Sequence, residues 1–344
     1  MNYLHLVPRS VFETKMARER FIQVDALRAV PDSAVVTWGP GWPEWDVNMS
    51  IVENVERFCR ATYPAHLIIA YGLAGSLLGG PVPVAVILQE AYDRRKTDQL
   101  IRAMDPRLVV FTYANELPQY EHFAAEGRVC VAVPHGVEPG PMAVAYPELL
   151  ALGHAGFADR PIDVLIVGNM NETIYPVRVH LAHLAWRELR KRGYKVVWAP
   201  HPGYTLPPKV GVVGREYLRL LGQAKLVVTC TSRYRYALTK LLEIPMAGAL
   251  PVTDLPGERQ RFFSHTGLIV SPSMLDREIL GLMEGMLDDA GAWELAVKIA
   301  RERVEDRCLM TFWAERFHFH ARVAILGESP APPRPVVSEE DAES

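Results

Sequence analysis

The chain has 344 residues, 49% of them hydrophobic, and a formal net charge of −3. This length suits two domains, each with a sizeable buried core, better than one small domain. The small net charge provides no overall basic field, so composition does not indicate an extended nucleic-acid partner, although it does not exclude a local basic cleft. Four cysteines, far apart and without metal-ligand spacing, indicate free thiols in a reducing cytoplasm.

The two ends of the chain differ in character. Residues 1–7 alternate polar and apolar side chains like a β-strand, and they lack the basic head and long apolar body of a signal peptide. No run of about 18 uncharged apolar residues occurs, so we expect no transmembrane segment. Residues 327–344 are rich in Pro, Glu and Ser, which predicts a disordered tail.

The amino-terminal half alternates short apolar segments with helical ones. Strands are predicted at residues 3–7, 34–38, 66–70, 84–88, 108–112 and 130–133. Helices are predicted at residues 50–63, 96–104 and 116–125. This alternation predicts a mainly parallel, doubly wound α/β sheet, whose loops at the carboxyl ends of the strands line a cleft.

Two loops of this half contain candidate catalytic residues. Glu90 and Asp93 follow a predicted strand, where a carboxylate can act as the base for an acceptor hydroxyl. Either carboxylate can instead cap the next helix. His135 follows the strand at residues 130–133 and can donate to a phosphate, relay a proton or serve in a local turn.

The second half continues the same alternation after a segment, at about residues 140–160, that is rich in Pro and Ala. Strands are predicted at residues 163–167, 195–199, 226–230, 250–253 and 266–270. Helices are predicted at residues 175–192, 217–223, 236–247, 273–289, 293–303 and 311–326. This pattern predicts a second α/β domain.

The most informative motif combines Lys240, Glu243 and Gly248, as Lys-x-x-Glu followed by Met-Ala-Gly and a strand that ends in Thr-Asp. A carboxylate at a helix edge can accept hydrogen bonds from two hydroxyls, and the loop before the helix faces the expected position of a pyrophosphate. Alternatively, Lys240 and Glu243 form the solvated face of an ordinary helix.

This motif resembles the nucleotide-binding helix of GT-B glycosyltransferases, especially the group 1 family and the spore maturation protein-like glycosyltransferases. The resemblance covers about residues 130–320 through four ordered segments, and the first domain in architecture only. It implies two Rossmann-like domains facing a cleft, with the last helix crossing back to the first domain. It also implies that Glu243 binds the ribose hydroxyls of a nucleotide-sugar donor.

Other segments carry the resemblance further. Arg178, near a helix start, matches the basic residue that meets the diphosphate, and the loop with His201 and Tyr204 matches the one that borders the nucleobase. His135 stands where many family members have Asn. The donor-binding residues implied by the resemblance are Gly168, Asn169, Arg178, His201, Tyr204, Ser232, Arg233, Arg235, Lys240 and Glu243.

The sequence also departs from the family. Well-known retaining members have an earlier glutamate near the sugar, with seven residues between it and the ribose-binding glutamate, and counting back from Glu243 gives Arg235. This substitution leaves the sugar contact and the stereochemical outcome open. Pro245 falls inside a helix that is usually uninterrupted, and it should kink or end that helix.

These observations lead to one set of expectations. Residues 1–145 form the acceptor domain, 146–310 the donor domain, 311–326 the crossover helix and 327–344 the tail. The resemblance implies metal-independent transfer of a sugar from a UDP- or GDP-sugar, without another cofactor, with His135, Glu90 or Asp93 acting on the acceptor. The acceptor remains open among a carbohydrate, a lipid-linked glycan, a protein and a modified DNA base.

Three alternatives remain at the sequence level. The first is a catalytically inactive nucleotide-sugar-binding protein, because Arg235 replaces a glutamate. The second is a nucleotide-sugar epimerase with the same two-domain architecture. The third is a viral-type glycosyltransferase that modifies DNA bases, against which the acidic composition is a weak argument.

Overall fold

The computed structural model describes residues 1–14, 18–71, 77–138, 154–201 and 214–328. The chain divides into two compact units: Met1–Gly136 together with the helix that begins at Met310, and Val137–Leu309. Each unit contains one parallel sheet with helices around it. The doubly wound α/β fold predicted from the alternation of strands and helices is therefore confirmed.

The sheet of the first unit has six parallel strands among the described residues. They are β1 (Asn2–Leu6), β2 (Ala34–Trp38), β3 (Leu67–Ala70), β4 (Val84–Leu88), β5 (Leu108–Phe111) and β6 (Val129–Ala132). Their order in the sheet is β2-β1-β3-β4-β5-β6. The strand order reverses between β1 and β3, and in doubly wound sheets a ligand crevice forms at the carboxyl ends of the strands at such a reversal.

Helices cover this sheet. They are α1 (Arg9–Thr14), α2 (Arg18–Arg28), α3 (Ile51–Ala61), α4 (Arg94–Met104), α5 (Glu121–Ala125) and the last helix of the chain, α12 (Met310–Leu326). The single helix predicted at 116–125 is wrong, because a 3-10 segment, Ala114–Tyr120, precedes α5. Pro118 lies within that segment and has no N–H to donate to an α-helical bond.

The last helix packs on the first unit, as the sequence predicted. Trp313 and Phe317 of α12 join a buried cluster with Tyr3 of β1 and Ile69 of β3. The rings of Tyr3 and Phe317 have centroids 6.0 Å apart. Each of these aromatic side chains removes a large apolar area from water, so α12 is an integral part of this unit.

The sheet of the second unit has five parallel strands among the described residues. They are β7 (Ile162–Val167), β8 (Val196–Ala199), β9 (Ala224–Val228), β10 (Leu250–Thr253) and β11 (Leu268–Ile269), in the order β11-β10-β9-β7-β8. The helices are α6 (Pro176–Leu184), α7 (Gly214–Gln223), α8 (Lys240–Met246), α9 (Gln260–Phe263), α10 (Asp276–Asp288) and α11 (Ala290–Arg307). Here the strand order reverses between β7 and β9, so the sheet has the flavodoxin-like order.

Successive side chains of β7 point alternately to the two faces of the second sheet. Val164 and Ile166 point into the core on one face of the sheet, whereas Leu165 and Val167 point into the core on the other. Because both faces of the sheet are buried, the strand reads as a continuous apolar run, which is typical of parallel sheets.

In two predicted helices of this unit, a named backbone feature explains why the structure differs from a continuous α-helix. The helix predicted at 236–247 begins only at Lys240, because Ser232 and Arg235 have positive φ angles and Tyr236 N–H donates to the Thr231 carbonyl, so the chain turns first. It ends at Met246, one residue after Pro245. The helix predicted at 175–192 changes after Leu184 into a π-helical turn, Ala185–Leu189.

In the described part of the chain, no helix combines the length and the apolar character that a membrane crossing requires.

Candidate functional site

The reversal of strand order in the second unit brings together two segments that are far apart in sequence. β7 pairs directly with β9, so Gly168, which follows β7, lies at the same edge of the sheet as Thr229, which follows β9. Gly168 has a φ of +100°, a conformation that residues with a Cβ rarely adopt. The backbone therefore turns sharply at the place where doubly wound folds bind their ligands.

Arg178 of α6 fills the space beside Gly168. Its side chain is 2% exposed, its Nη1 donates to the Asn169 carbonyl at 3.0 Å, and its Cζ lies 4.3 Å from the centroid of the Tyr175 ring. Its Nε is buried without a hydrogen-bond partner among the described residues. A buried cation is normally paired with a carboxylate, and no ion pair of Arg178 occurs within the described ranges. The site therefore has an unneutralised positive charge.

Two other basic side chains share the electrostatic environment of Arg178. Burial lowers the pKa of Lys240, the first residue of α8, and the charge of Arg178 lowers it further, against the opposing effect of Glu243. Burial also lowers the pKa of His201, with contributions from Lys240 and Arg178. The charge of Arg178 thus disfavours the protonated forms of Lys240 and His201. These three side chains form a basic cluster, the arrangement expected of an anion site.

Glu243 lies one helical turn after Lys240 and is held by an aromatic residue of α7. Tyr217 donates its hydroxyl to Glu243 Oε2 at 3.2 Å, and Lys240 Nζ lies 5.7 Å from the centroid of the same ring. Oε1 of Glu243 has no hydrogen-bond partner among the described residues. The half-buried carboxylate is therefore oriented, with one oxygen left to accept a hydroxyl.

The loop after β9 is organised by Asp254, which follows β10. Asp254 accepts the Thr231 N–H at 2.9 Å and the Thr231 hydroxyl at 2.5 Å. Ser232 is buried at a φ of +67°, and its hydroxyl accepts the Tyr234 N–H at 3.3 Å. This network determines the path of the chain from β9 to α8.

Arg233 and Arg235 belong to this loop, but their guanidinium groups are not joined to the basic cluster. Both side chains are exposed. Arg233 lies over the Tyr234 ring at 5.3 Å, and Arg235 Nη2 donates to the Pro256 carbonyl at 3.5 Å. Because α8 begins at Lys240 and not at residue 236 as predicted, these arginines do not stand at the start of this helix.

Gly168, Asn169, Arg178, His201, Lys240 and Glu243 are thus the predicted donor-site residues that the structure places around one edge of the second sheet. Tyr204 lies outside the described residues. Sequence reasoning assigned no role to Tyr217 or to the bonds of Asp254. Tyr217 is far from Glu243 along the chain, so no local pattern indicated their contact.

The candidate catalytic residues of the first unit have three different environments. Asp93 caps α4: its Oδ1 accepts the Lys96 N–H at 3.1 Å, its Oδ2 lies 3.0 Å from Lys96 Nζ, and the hydrogen bonds with Lys96 lower the pKa of its carboxyl. Asp93 therefore has the capping role that the sequence left open. Glu90 is exposed at the surface, and partial desolvation raises the pKa of its carboxyl.

His135 is a buried side chain, 6% exposed. Its Nε2 lies 3.2 Å from Tyr113 Oη, and the two rings meet edge to face with centroids 5.3 Å apart. Burial lowers the pKa of its imidazole to about 3, so the ring is neutral at physiological pH. It cannot act as a cationic partner for phosphate without taking up a proton at considerable cost.

A carboxylate that sequence reasoning missed supports the loop of Glu90 and Asp93. Glu116 is 2% exposed, and its Oε1 accepts the Ala91 N–H at 2.7 Å, while the Tyr120 hydroxyl donates to the Ala91 carbonyl at 2.5 Å. Both the N–H and the carbonyl of Ala91 are thus held by hydrogen bonds, which fixes the loop.

Within the described residues, no cluster of His, Cys, Asp and Glu has the geometry of a metal site.

No protein-family model matches the chain, and no curated protein matches it. Among solved structures, an alpha-glucosyltransferase in complex with UDP-glucose and DNA containing an abasic site superimposes with a TM-score of 0.62 at 9% identity, over 93% of this chain and 99% of that one. Sucrose-phosphate synthase from Thermosynechococcus elongatus gives 0.59 at 14% identity, over 95% and 100%. Anabaena HepE in complex with UDP and glucose gives 0.57 at 10% identity, over 92% and 98%. These similarities show the fold, and the GT-B fold expected from the sequence is confirmed.

Proposed function

We propose that this protein is a glycosyltransferase that takes a sugar from a nucleotide-sugar donor, a UDP- or GDP-sugar, bound by its second unit. The observation that carries the proposal is Arg178, a buried arginine without a carboxylate partner in the described part of the chain, beside Gly168 at the reversal of strand order. A diphosphate supplies the missing negative charge and the acceptors for its unpartnered Nε. The GT-B fold of the chain supports the same interpretation.

The basic cluster would act on the leaving group. During transfer, the bond between the anomeric carbon and the diphosphate oxygen breaks, and its electron pair remains on that oxygen. Arg178 and protonated Lys240 stabilise this charge because they are already in position and partly shielded from water, and His201 can donate a hydrogen bond. We propose that these groups replace a metal ion in the reaction.

Glu243 would bind the ribose of the donor. Tyr217 holds one carboxylate oxygen, and the other can accept the ribose hydroxyls. A carboxylate that is already oriented loses less conformational entropy on binding than a mobile one.

On the acceptor side, we propose Glu90 as the base that removes the hydroxyl proton. Its raised pKa makes it a better proton acceptor than Asp93, whose carboxylate caps α4 and has a lowered pKa. His135 is the weaker candidate because burial lowers its pKa to about 3.

A nucleotide-sugar-binding protein without catalysis is the second candidate. Arg235 stands where retaining relatives have a glutamate, and its guanidinium donates to the Pro256 carbonyl. Its φ of +57° is an unusual conformation for a residue with a long side chain. This candidate shares the donor site and lacks only the transfer step.

Binding of nucleotides to the full chain tests both candidates. We expect UDP, GDP or their sugars to raise the midpoint of thermal unfolding, since a ligand of the folded state at 100 times its Kd stabilises by about 2.7 kcal/mol. Arg178→Met should weaken that binding at least tenfold. Arg187→Met is the matched control, because Arg187 belongs to the same helical segment and is exposed. Binding that is equal in both variants, or absent from the wild type across UDP, GDP, ADP and dTDP compounds, would contradict the proposed site.

Turnover separates the two candidates. Release of free nucleotide from the donor, dependent on an added acceptor, supports the glycosyltransferase. Tight binding without release across saccharide, lipid-linked, peptide and DNA acceptors supports the binding protein.

A further inference from the structure

The first unit contains a second polar cluster at the reversal of its own strand order. His5 lies in β1 and Tyr71 directly follows β3, so the two residues flank the point where the order reverses. Gln89 directly follows the next strand, β4, and Arg20 and Gln23 project from α2. Doubly wound sheets bind their ligands at this edge.

Tyr71 contacts three of the other four side chains in this cluster. Its hydroxyl donates to Gln23 Oε1 at 2.7 Å, and its ring meets that of His5 edge to face, with centroids 5.8 Å apart. The guanidinium carbon of Arg20 lies 5.4 Å from the Tyr71 ring centroid, and Arg20 Nε donates to Gln89 Oε1 at 3.2 Å. These contacts connect the five side chains into one group.

Two inner side chains of the cluster, His5 and Gln23, have a nitrogen that lacks a hydrogen-bond partner within the described part of the chain. Thr37 Oγ1 accepts from Arg28 Nη2 at 2.9 Å and lies 3.4 Å from His5 Nδ1. We assign the Thr37 hydroxyl proton to His5 Nδ1, and in this tautomer the imidazole proton is on Nε2. His5 Nε2 and Gln23 Nε2 are both buried without a partner among the described residues. A buried donor destabilises the folded protein when nothing accepts its proton.

Arg20 adds a positive charge to these two donors. Its side chain is half-buried, burial lowers its pKa, and no carboxylate pairs with it within the described ranges. His5 remains neutral, because burial first and then the charges of Arg28 and Arg20 lower its pKa to about 3. In this tautomer His5 Nε2 and Gln23 Nε2 are both unused donors among the described residues, and the charge beside them, that of Arg20, is positive.

We propose that Arg20, Gln23 and His5 form an anion subsite of the first unit that holds an acidic group, a phosphate or a carboxylate, of the acceptor. Arg20 is the outer, accessible member, and Gln23 and His5 are the inner ones. The subsite follows from the geometry of the first unit alone. Its assignment to the acceptor rests on the proposed glycosyltransferase function.

The test measures anion binding in the full chain carrying Arg178→Met, so that the second unit contributes as little as possible. Inorganic phosphate and sodium acetate are titrated separately at constant ionic strength, with the chloride salt as reference, and Kd is obtained from the shift in urea unfolding. Arg20→Gln is compared with Arg95→Gln, because Arg95 is an exposed arginine in the first turn of another helix of the same unit, α4. The constant ionic strength and this control remove the general stabilising effect of phosphate.

We expect Arg20→Gln to weaken the binding of one anion at least tenfold and Arg95→Gln to leave it unchanged. Loss for phosphate would show that the subsite binds a phosphate group, and loss for acetate would show that it binds a carboxylate. Equal titrations in the two variants would overturn the subsite.

His5→Phe provides a second test that does not depend on Arg20. Phenylalanine can keep the ring contacts with Phe21 and Tyr71 and removes the Nε2 donor. We expect several-fold weaker binding of the same anion. Higher stability with unchanged anion affinity would show that His5 has only a packing role and would overturn its place in the subsite.

The nucleotide experiment separates this inference from the proposed function. If Arg20 controls anion binding while no nucleotide binds the protein with Arg178 intact, the subsite stands and its acceptor role fails. If nucleotides bind but the titrations do not depend on Arg20, the proposed function stands and the subsite fails.

Discussion

The guanidinium of Arg178 occupies the space that a side chain at residue 168 would need. A Cβ on Gly168 would lie 2.7 Å from Arg178 Nη1 and 3.0 Å from Cζ, both shorter than an ordinary contact. Gly168 thus permits the turn after β7 and also leaves room for the buried cation of the candidate donor site.

Gly168→Ala should therefore displace Arg178. We expect a loss of about 1–3 kcal/mol in the free energy of unfolding and at least tenfold weaker nucleotide binding. Gly193→Ala is the matched control, because Gly193 has a similar φ, +95°, and a Cβ added there would have no heavy atom within 4 Å among the described residues. Urea unfolding and calorimetric titration with UDP measure the two effects. Equal nucleotide affinity in both variants would show that the contact with Arg178 has no role in binding.

Nucleotide binding should weaken at alkaline pH because Lys240 loses its proton. Its lowered pKa means that the folded protein releases this proton at a pH below 10.5, where the unfolded chain still holds it. Two consequences follow: the free energy of unfolding gains a contribution that rises with pH in this window, and affinity for a diphosphate falls as the charge is lost. Lys240→Arg should flatten the affinity profile at alkaline pH below 10.5, because arginine stays protonated there. An identical slope in wild type and variant would exclude Lys240 as the titrating group.

Because of His135, the folded protein should become less stable in acid. Burial lowers its pKa from 6.5 to about 3, so between these values the unfolded chain binds a proton that the folded protein does not. The free energy of unfolding should therefore fall as the pH decreases from about 6.5 towards 3. His135→Phe keeps an aromatic ring against Tyr113 and should reduce this slope. His66→Gln, at an exposed position of the same unit, is the control, and urea unfolding from pH 7 to pH 4 is the measurement.

Arg160 should be a major contributor to the stability of the second unit. It is 2% exposed, donates to the carbonyls of Ala155 at 3.1 Å, Ala224 at 2.9 Å and Ala247 at 3.3 Å, and lies over the Trp293 ring. Arg160→Met would leave buried carbonyls without donors, and we expect a loss of about 3 kcal/mol or more in the free energy of unfolding. Arg190→Met is the control, because Arg190 also lies over a tryptophan, Trp186, but on the surface. A similar, small loss in both variants would show that the carbonyl contacts contribute little.

Much of the architecture could be predicted from sequence because its signals are local. The strand Ala34–Trp38 has the predicted limits, as does the strand Val84–Leu88, since short apolar runs flanked by turn residues identify buried parallel strands. Asp93, three residues before Lys96, likewise suggested the helix cap that the structure contains. The predicted start of α8 failed because Thr231 and Ser232 favour both helix starts and turns, and contacts with Asp254 and the Thr231 carbonyl select the turn.

The sequence by itself determined the two α/β units and the order of the motifs around Glu243, because both depend on spacing along a short stretch of chain. Only the tertiary structure decided which side chains meet. Tyr217 contacts Glu243 because α7 and α8 pack on one sheet, and Gly168 lies beside the loop of Thr231 because β7 pairs with β9. The cluster of His5, Gln23 and Tyr71 likewise exists because β1 pairs with β3. Strand neighbours are selected by the packing of the whole sheet, and local periodicity contains no information about that choice.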